Sequence, residues 1–332
     1  MKALVTGAAG FLGQAVVRRL QREGVAVRAL VRPGRTYACD GVERCEGDLC
    51  DEASIAAAVR GVDWVVHAAA RVATTGKWEE FAEANIRGTR RVIRAARAAG
   101  VQRIVHISSL SVYDVPRDGV TITEESPYES EANARGHYSR SKLAADRLAL
   151  WEAAHGAPVV VLRPGLLYGP GKRPPLARQS FGKAGFKFIL ATPQYTLPFS
   201  HVDNVADAAL LALQAPDAVG KAFTVVDANV PQTELVAAYR AAAGESWRAV
   251  FLPVGLIGAA AWGVERGCRL ARRRPPVTRH QIQRATRRAF YDCSRAEQML
   301  GWRPAVGIQE GLLRSFASLR AAGAEPRVQQ SA

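Results

Sequence analysis

The sequence predicts a doubly wound α/β protein, in which helices cover both faces of a mostly parallel sheet. Short, mainly apolar runs recur in the first half of the chain, as buried parallel strands require, with helical patterns between them. The runs lie near residues 2–6, 25–31, 63–67, 102–107 and 158–162. The chain has 332 residues, of which 48% are hydrophobic and 23% charged. This composition supports a large core and excludes both a disordered chain and a polytopic membrane protein.

The regular alternation of strands and helices loosens after Arg163-Pro164-Gly165, where proline and glycine cluster. We therefore predict a first domain over residues 1–165. Residues 166–332 are expected to form mainly a smaller substrate-binding region. This second region is predicted to be discontinuous, with the chain returning to the first domain near residues 201–226.

The first element is a strand at Lys2–Val5, followed by the run TGAAGFLG and a helix to about Arg22. Glycine is needed where the backbone turns tightly and approaches a pyrophosphate, and the helix N-terminus beyond it offers free N–H groups. The position of this turn after the first strand predicts a Rossmann-type dinucleotide site. An ordinary strand-to-helix turn is the alternative for the glycine spacing alone. The candidate cofactor contacts of the turn are Gly7, Gly10, Phe11, Leu12 and Gly13.

The second predicted strand is followed by Arg32-Pro33-Gly34-Arg35 and not by a carboxylate. An acid at this point holds the ribose 2′-hydroxyl of NAD, whereas a guanidinium attracts the 2′-phosphate of NADP. Arg32 therefore favours NADP over NAD. The alternative is that Arg32 and Arg35 only cover a loop.

Tyr138 and Lys142 stand four residues apart, hence on one face of a helix. A nearby ammonium favours the phenolate and brings a tyrosine into the range of acid–base chemistry. An isolated pair of this kind is commonly a surface pair. Here it follows Ile107-Ser108-Ser109, where a hydroxyl could hold a substrate carbonyl oxygen.

Together these motifs resemble the extended short-chain dehydrogenase/reductase superfamily, with its NAD(P)-dependent epimerase/dehydratase fold, and most closely its 3β-hydroxysteroid dehydrogenase-like group. The matching segments follow the order of the family along nearly the whole chain. They are Thr6 to Gly13, Asp48-Leu49, His67 to Ala70, Asn85 to Thr89, Ser108 to Tyr113, Tyr138 to Lys142, Arg163-Pro164, Tyr168 to Pro170, His201 to Asn204 and Leu300 to Pro304.

The resemblance implies a role for each matching residue. Tyr138 would be the general acid/base, Lys142 would bind the nicotinamide ribose and lower the tyrosine pKa, and Ser109 would polarise the substrate carbonyl. The resemblance adds further cofactor contacts at several segments. These are Asp48 and Leu49 at the adenine, Ala68, Ala69 and Ala70 at the ribose, Asn85 as a residue that orders the site, and Pro164 near the carboxamide. The alternative for Asn85 is a buried structural asparagine.

Three departures speak against the nucleotide-sugar branch of the family. The acid pair of dehydratases is Leu110-Ser111 here, the sugar-binding asparagine is Leu166, and an arginine often found before the His201 motif is replaced by Leu197-Pro198. We therefore expect an NAD(P)-dependent oxidoreductase that transfers a hydride between the cofactor and an apolar, sterol- or lipid-like hydroxyl or keto compound. The alternatives are a nucleotide-sugar epimerase, and a non-catalytic dinucleotide-sensing or nucleic-acid-binding protein.

The formal net charge is +15, and much of it lies near the C-terminus. Ala249–Val264 is an uncharged run of sixteen residues, too short for a confident membrane span. Arginines follow it, and between Arg248 and Phe290 ten basic residues face one acid, Glu265. An apolar helix next to arginines suits an anionic membrane surface, so residues 249–274 are a candidate peripheral membrane contact. A solvated basic face is the alternative, and nucleic acid is not expected as the partner.

The five cysteines have neither C-x-x-C spacing nor a histidine at zinc-ligand spacing, so we expect no metal site. Their odd number, and a first strand that begins at once without a signal peptide, predict a cytoplasmic protein. His67, His106 and His201 are read as structural, and Glu124 and Glu125 as solvated. Because members of the superfamily commonly pair two helices, the resemblance also implies a homodimer.

Overall fold

A computed structural model of the protein describes residues 1–35, 37, 39–73, 75–130, 135–172, 180–181, 185–189, 193, 195–244, 246–252, 254–270 and 288–321. The strands are β1 Lys2–Thr6, β2 Ala26–Val31, β3 Val42–Glu46, β4 Trp64–His67, β5 Arg103–Ile107, β6 Val120–Ile122, β7 Val159–Pro164, β8 Leu166–Tyr168, β9 Ser180–Phe181, β10 Phe186–Ile189, β11 Thr196–His201, β12 Ala222–Val225, β13 Ala228–Pro231, β14 Arg248–Phe251 and β15 Ala289–Tyr291.

The α-helices are α1 Phe11–Arg22, α2 Glu52–Ala58, α3 Trp78–Phe81, α4 Gly88–Ala98, α5 His137–Ala154, α6 Val202–Gln214, α7 Gln232–Ala243, α8 Val254–Leu270, α9 Ser294–Leu300 and α10 Ile308–Ala321. A π-helical turn covers Ala82–Arg87, and 3₁₀ turns cover Leu110–Val112 and Pro216–Ala218.

A seven-stranded sheet in the order β12-β7-β5-β4-β1-β2-β3 forms the centre of the protein, and each of its pairings is parallel. Its strands are mainly apolar because helices cover both faces. Residues of α1, α6 and α9 form one buried cluster with the sheet, and residues of α2, α4 and α5 form another on alternate strand positions. The predicted doubly wound α/β class is confirmed, and the five predicted strands correspond to β1, β2, β4, β5 and β7.

Two strands of this sheet were not predicted. The outer strand β3 reads VERCE and is partly or fully exposed along its length, so it carries no apolar run. The other outer strand, β12, is buried but lies far along the chain, after α6 has returned to pack on α1. The chain therefore rejoins the central sheet over residues 202–225.

A second core lies outside the central sheet. The sheet β13-β11-β8 packs with α7 and α10 around Tyr168, Phe199, Leu235 and Phe316, and the sheet β14-β10-β9 lies beside it. The C-terminal part of the chain also contributes to the first domain, because Trp302 is buried in the same cluster as α1. In the described part of the chain, no helix has the length and apolar character needed to cross a bilayer.

Candidate active site

The carboxyl edge of the central sheet brings together segments that are far apart in sequence. Since the strands are parallel, the residues that follow them lie at one edge. The glycine turn follows β1, Arg32 follows β2, Ala68 follows β4 and Ser108 follows β5, while Pro164 ends β7. This edge is where an open α/β sheet binds its ligand.

The glycine turn has the geometry that a dinucleotide requires. Gly7 has φ 70°, and a Cβ there would lie 2.8 Å from Cα of Ala69. A Cβ at Gly13 would lie 2.0 Å from the Gly7 carbonyl oxygen, so the first turn of α1 packs directly on the loop. Gly10 is the N-cap of α1 and supplies no side chain, and the first turn holds no acid. The free amides and the positive end of this helix fit a pyrophosphate.

The predicted adenosine contacts follow β2 and β3, the strands that continue the sheet beyond β1. Arg32 is exposed and directly follows buried Val31. The Asp48 carboxylate accepts the Cys50 N–H at 2.9 Å, which fixes the backbone after β3. Leu49 contacts Gly88, where a Cβ would lie 3.0 Å from the leucine side chain.

Asn85 is buried and connects the loop after β4 to the helix that carries Tyr138. Its side-chain oxygen accepts the Arg71 N–H at 2.7 Å, and its amide donates to the Arg71 carbonyl at 3.2 Å. The same amide donates to the Ser141 hydroxyl at 2.9 Å, and Ser141 donates to the Tyr138 carbonyl at 2.8 Å. These contacts tie the loop after β4 to the start of α5, and they fit both a residue that orders the site and a buried structural asparagine.

Tyr138 lies in the first turn of α5 and is partly buried, and the Ser109 hydroxyl acts on its phenol by lowering its pKa. Ser109 also accepts the Ser111 N–H at 3.1 Å, which starts the 3₁₀ turn after β5. The adjacent Ser108 is buried and donates instead to Asp146 at 2.5 Å. Of the two serines, Ser109 is therefore the one that reaches the phenol.

Lys142 lies one turn further along α5, and its Nζ donates to the Ile107 carbonyl at 2.6 Å. Burial lowers the pKa of Lys142 to about 8, although Asp146 opposes the shift. Burial raises the pKa of Tyr138, whereas the Ser109 hydroxyl lowers it to a smaller extent. Lys142 is not among the groups that shift this pKa, so its expected effect on Tyr138 stays a prediction.

A buried ion pair between Arg163 of β7 and Asp146 of α5 joins these two elements, and the sequence analysis did not predict it. Arg163 and Asp146 are 2% and 0% exposed and approach to 2.7 Å. Arg163 also donates to the hydroxyls of Tyr113 at 2.7 Å and Tyr128 at 2.8 Å. The position of Asp146, four residues after Lys142, was the available signal.

The solvated state predicted for Glu124 is wrong, whereas Glu125 is 68% exposed as expected. The Glu124 side chain is 4% exposed and accepts the Thr224 N–H of β12 at 2.6 Å. The loop before α5 is thus tied to the central sheet, which composition alone did not indicate.

The three positions that depart from the sugar branch carry apolar side chains in packed surroundings. Leu110 belongs to a buried cluster with Val112 and Leu143 at the start of the Ser109 segment. Leu197 is buried in the core of the second region, and Leu166 packs against the same core.

The candidate membrane segment contains β14 and α8. Leu256, Trp262 and Val264 of α8 are 66%, 48% and 43% exposed. The Arg266 guanidinium lies over the Trp262 ring at 5.5 Å. Residues 271–274 of the segment, including the predicted arginines there, lie outside the described residues.

Comparison with known proteins agrees with this geometry. The profile of the NAD dependent epimerase/dehydratase family matches residues 3–226. A 2-alkyl-3-oxoalkanoate reductase of Stenotrophomonas maltophilia is 33% identical, covering 96% of this chain and 99% of the relative. Sterol-4-alpha-carboxylate 3-dehydrogenase, decarboxylating, of Bos taurus is 27% identical, covering 96% of this chain and 93% of the relative. The crystal structure of gox2253 is similar with a TM-score of 0.84 at 29% identity, covering 97% of this chain and 98% of that one.

Proposed function

The chain belongs to the NAD dependent epimerase/dehydratase family, and from this premise we propose that it reduces or oxidises an apolar compound whose reacting oxygen is β to a carboxyl group. It is an extended short-chain dehydrogenase/reductase, an NAD(P)-dependent oxidoreductase most like the 3β-hydroxysteroid dehydrogenase-like group. The observation that carries the proposal is the contact of α5 with the end of β5, where Lys142 donates to the Ile107 carbonyl at 2.6 Å and the Ser109 hydroxyl lowers the pKa of Tyr138.

The residues of this edge divide into those that hold the cofactor and those that act on the substrate. Gly7, Gly10 and Gly13 would hold the pyrophosphate, with Phe11 and Leu12 in the same turn. The contacts proposed along the remainder of the cofactor are Asp48, Leu49, Ala68, Ala69, Ala70 and Pro164. When bound, the nicotinamide supplies the hydride. The protein supplies alignment and one proton.

Tyr138 is proposed as the group that moves this proton. Because burial raises its pKa, the phenol is protonated at neutral pH and can give its proton to the oxygen of a ketone that is being reduced. Ser109 would hold the same oxygen through its hydroxyl. Oxidation of the alcohol needs the phenolate, so its rate should increase with pH, whereas the rate of ketone reduction should not.

The substrate class is supported by the two relatives and by the site. The names of both relatives describe an alkyl or sterol compound with a reacting oxygen at carbon 3. In both compounds the carboxyl group is attached to a carbon next to carbon 3. In this chain Leu166 packs in the position where sugar enzymes carry asparagine, and an apolar side chain cannot replace that polar contact. A net charge of +15 attracts a carboxylate. The nucleotide-sugar epimerase is accordingly the less favoured alternative.

The experiment that tests the proposal measures net conversion between nicotinamide forms. We expect a long-chain 2-alkyl-3-hydroxyalkanoate to reduce NADP⁺ or NAD⁺ in the presence of the protein. The methyl ester of the same acid, which lacks the charge, is the matched control and should react more slowly. Interconversion of UDP-glucose without net change of the nicotinamide would instead support the epimerase.

NADP is the proposed preferred cofactor, because exposed Arg32 directly follows β2 and can reach a 2′-phosphate. Replacing Arg32 with alanine should weaken NADPH binding roughly tenfold and leave NADH binding almost unchanged, since a charge-assisted hydrogen bond is lost only with NADPH. Fluorescence titration with each cofactor measures both constants. Equal losses for the two cofactors would contradict the preference.

Residues 249–274 are proposed to contact an anionic membrane surface. Leu256, Trp262 and Val264 of α8 are exposed and Arg266 lies over the Trp262 ring, which is a combination of apolar and basic side chains found in interfacial helices. Binding to vesicles that contain phosphatidylglycerol should exceed binding to pure phosphatidylcholine vesicles. The variant Trp262→Ser should reduce flotation with the anionic vesicles. Equal flotation of both vesicle types would show that charge does not direct the contact.

A homodimer is a further part of the proposal. Its test is the mass of the protein in solution, measured by light scattering during size-exclusion chromatography. A monomeric mass across the concentrations used for activity would refute it.

A further inference from the structure

Four buried polar side chains connect the glycine turn to the helix that carries Tyr138. Thr6 ends β1, His67 ends β4, Asn85 lies in the π-helical turn and Thr89 lies in α4. None is more than 2% exposed. A polar side chain is costly to bury without partners, so the hydrogen bonds among these groups constrain their arrangement strongly.

Each of these side chains donates to the next one along the series, as the number of protons on each group shows. Thr89 has one hydroxyl proton and donates it to the Asn85 carbonyl at 2.7 Å. Its oxygen can therefore only accept from Nε2 of His67, 3.0 Å away, so Nε2 carries a proton. Nδ1 of a neutral His67 then accepts from the Thr6 hydroxyl at 2.7 Å. The Thr6 oxygen accepts the Ala69 N–H at 3.3 Å.

Both ends of this chain of hydrogen bonds reach the candidate site. Ala69 belongs to the loop that lies against Gly7, and the Thr6 carbonyl also accepts the Ala68 N–H at 3.3 Å. At the other end, the Asn85 side chain bonds to Ser141, which bonds to the Tyr138 carbonyl. The His67 imidazole thus lies between the glycine turn and the residues that contact the start of α5.

We propose that His67, as the neutral Nε2–H tautomer, is a positioning residue that fixes the Ala68–Ala70 loop and the Tyr138 helix relative to the glycine turn. It accepts from Thr6 and donates to Thr89, and a protonated ring could not do both. This inference rests on the proposed cofactor binding at the glycine turn, but not on the identity of the substrate.

The charges around His67 favour the neutral ring. Burial, and to a smaller extent the Lys142 cation, lower the pKa of His67 to about 3. His106 stacks on His67 at 5.4 Å between ring centroids, and its own pKa is held well below the usual range by burial and by the same lysine. The His67 imidazole is therefore neutral at pH values near 7.

The experiment compares NADPH and NADH binding in the substrate-free protein, so the result is independent of the proposed reaction. Thr6→Val keeps the shape of the side chain but removes the donor to His67 and the acceptor for Ala69. Thr89→Val removes the acceptor at the other ring nitrogen. Each variant should bind the preferred cofactor roughly 5- to 150-fold more weakly, the range expected when a buried group loses its partner. Circular dichroism selects the folded variants for titration.

His106→Leu is the matched control, because His106 is another buried imidazole on the neighbouring strand. Among the described residues, neither of its ring nitrogens has a hydrogen-bond partner. Its replacement should leave cofactor affinity unchanged. A loss equal to that of Thr6→Val would mean that the core in general, and not the hydrogen bonds of His67, sets the affinity.

Nitrogen NMR of ¹⁵N-histidine-labelled protein provides a second measurement. The His67 resonances should be those of the Nε2–H tautomer and should not titrate near neutral pH. In Thr6→Val the ring loses the donor that holds Nδ1 unprotonated, so its resonances should shift. An Nδ1–H tautomer in the unaltered protein, or unchanged cofactor affinity in both folded threonine variants, would overturn the proposal.

Discussion

Turnover is expected to fall at least about a hundredfold when Tyr138 is replaced with phenylalanine, the usual scale for losing a positioned acid/base. The ring remains, so packing at the start of α5 is kept, but no proton can pass to or from the substrate oxygen. The Ser109 hydroxyl also loses the phenol on which it acts. Single-turnover measurements with saturating cofactor separate this loss from slow product release.

A matched control for this change is Tyr239→Phe, which also removes one phenolic oxygen. Tyr239 packs against Phe316 and Trp247 in the second core, away from the glycine turn. The control should keep normal turnover. The Tyr138 variant should bind NADPH as tightly as the unaltered protein, since its role is in proton transfer. Near-normal turnover in Tyr138→Phe would end the proposed chemistry, because no other residue has been assigned the proton.

The fold was predictable because its main determinant is local. Strands β1, β4 and β7 are buried on both faces and so appear in the sequence as short apolar runs. Strand β3 was not predicted from the sequence, because its position at the edge of the sheet exposes Glu43 and Arg44. A residue pattern records burial, and an edge strand with little burial leaves almost no pattern.

The candidate site was predictable only in part, for a related reason. Tyr138 and Lys142 are detectable because both lie on one helix at a fixed spacing. The direction of the pKa shift of Tyr138 could not be predicted, since it depends on how completely the folded chain removes water from the phenol. The pairing of His67 with Thr6 and Thr89 was also hidden, because β1, β4 and α4 meet only after folding.

The largest expected change in stability comes from Asp146→Ala. This carboxylate is fully buried and accepts hydrogen bonds from Arg163 at 2.7 and 3.0 Å, from Ser108 at 2.5 Å and from Tyr128 at 2.9 Å. Its removal leaves the guanidinium of Arg163 buried without its counter-charge. The free energy of unfolding should decrease by about 3–5 kcal/mol, as measured by urea denaturation.

Asp118→Ala is the matched control, because Asp118 pairs with Arg288 while both side chains are about half exposed. Water solvates Arg288 when its partner is lost, so the control should cost at most about 1 kcal/mol. In the double variant Asp146→Leu, Arg163→Met the buried charge is absent on both sides, and the protein should be more stable than either single variant. If Asp146→Ala cost no more than the control, the pair would not be what holds β7 against α5. In that case Lys142, one turn before Asp146, and Ser109, beside Ser108, would need another anchor to stay aligned.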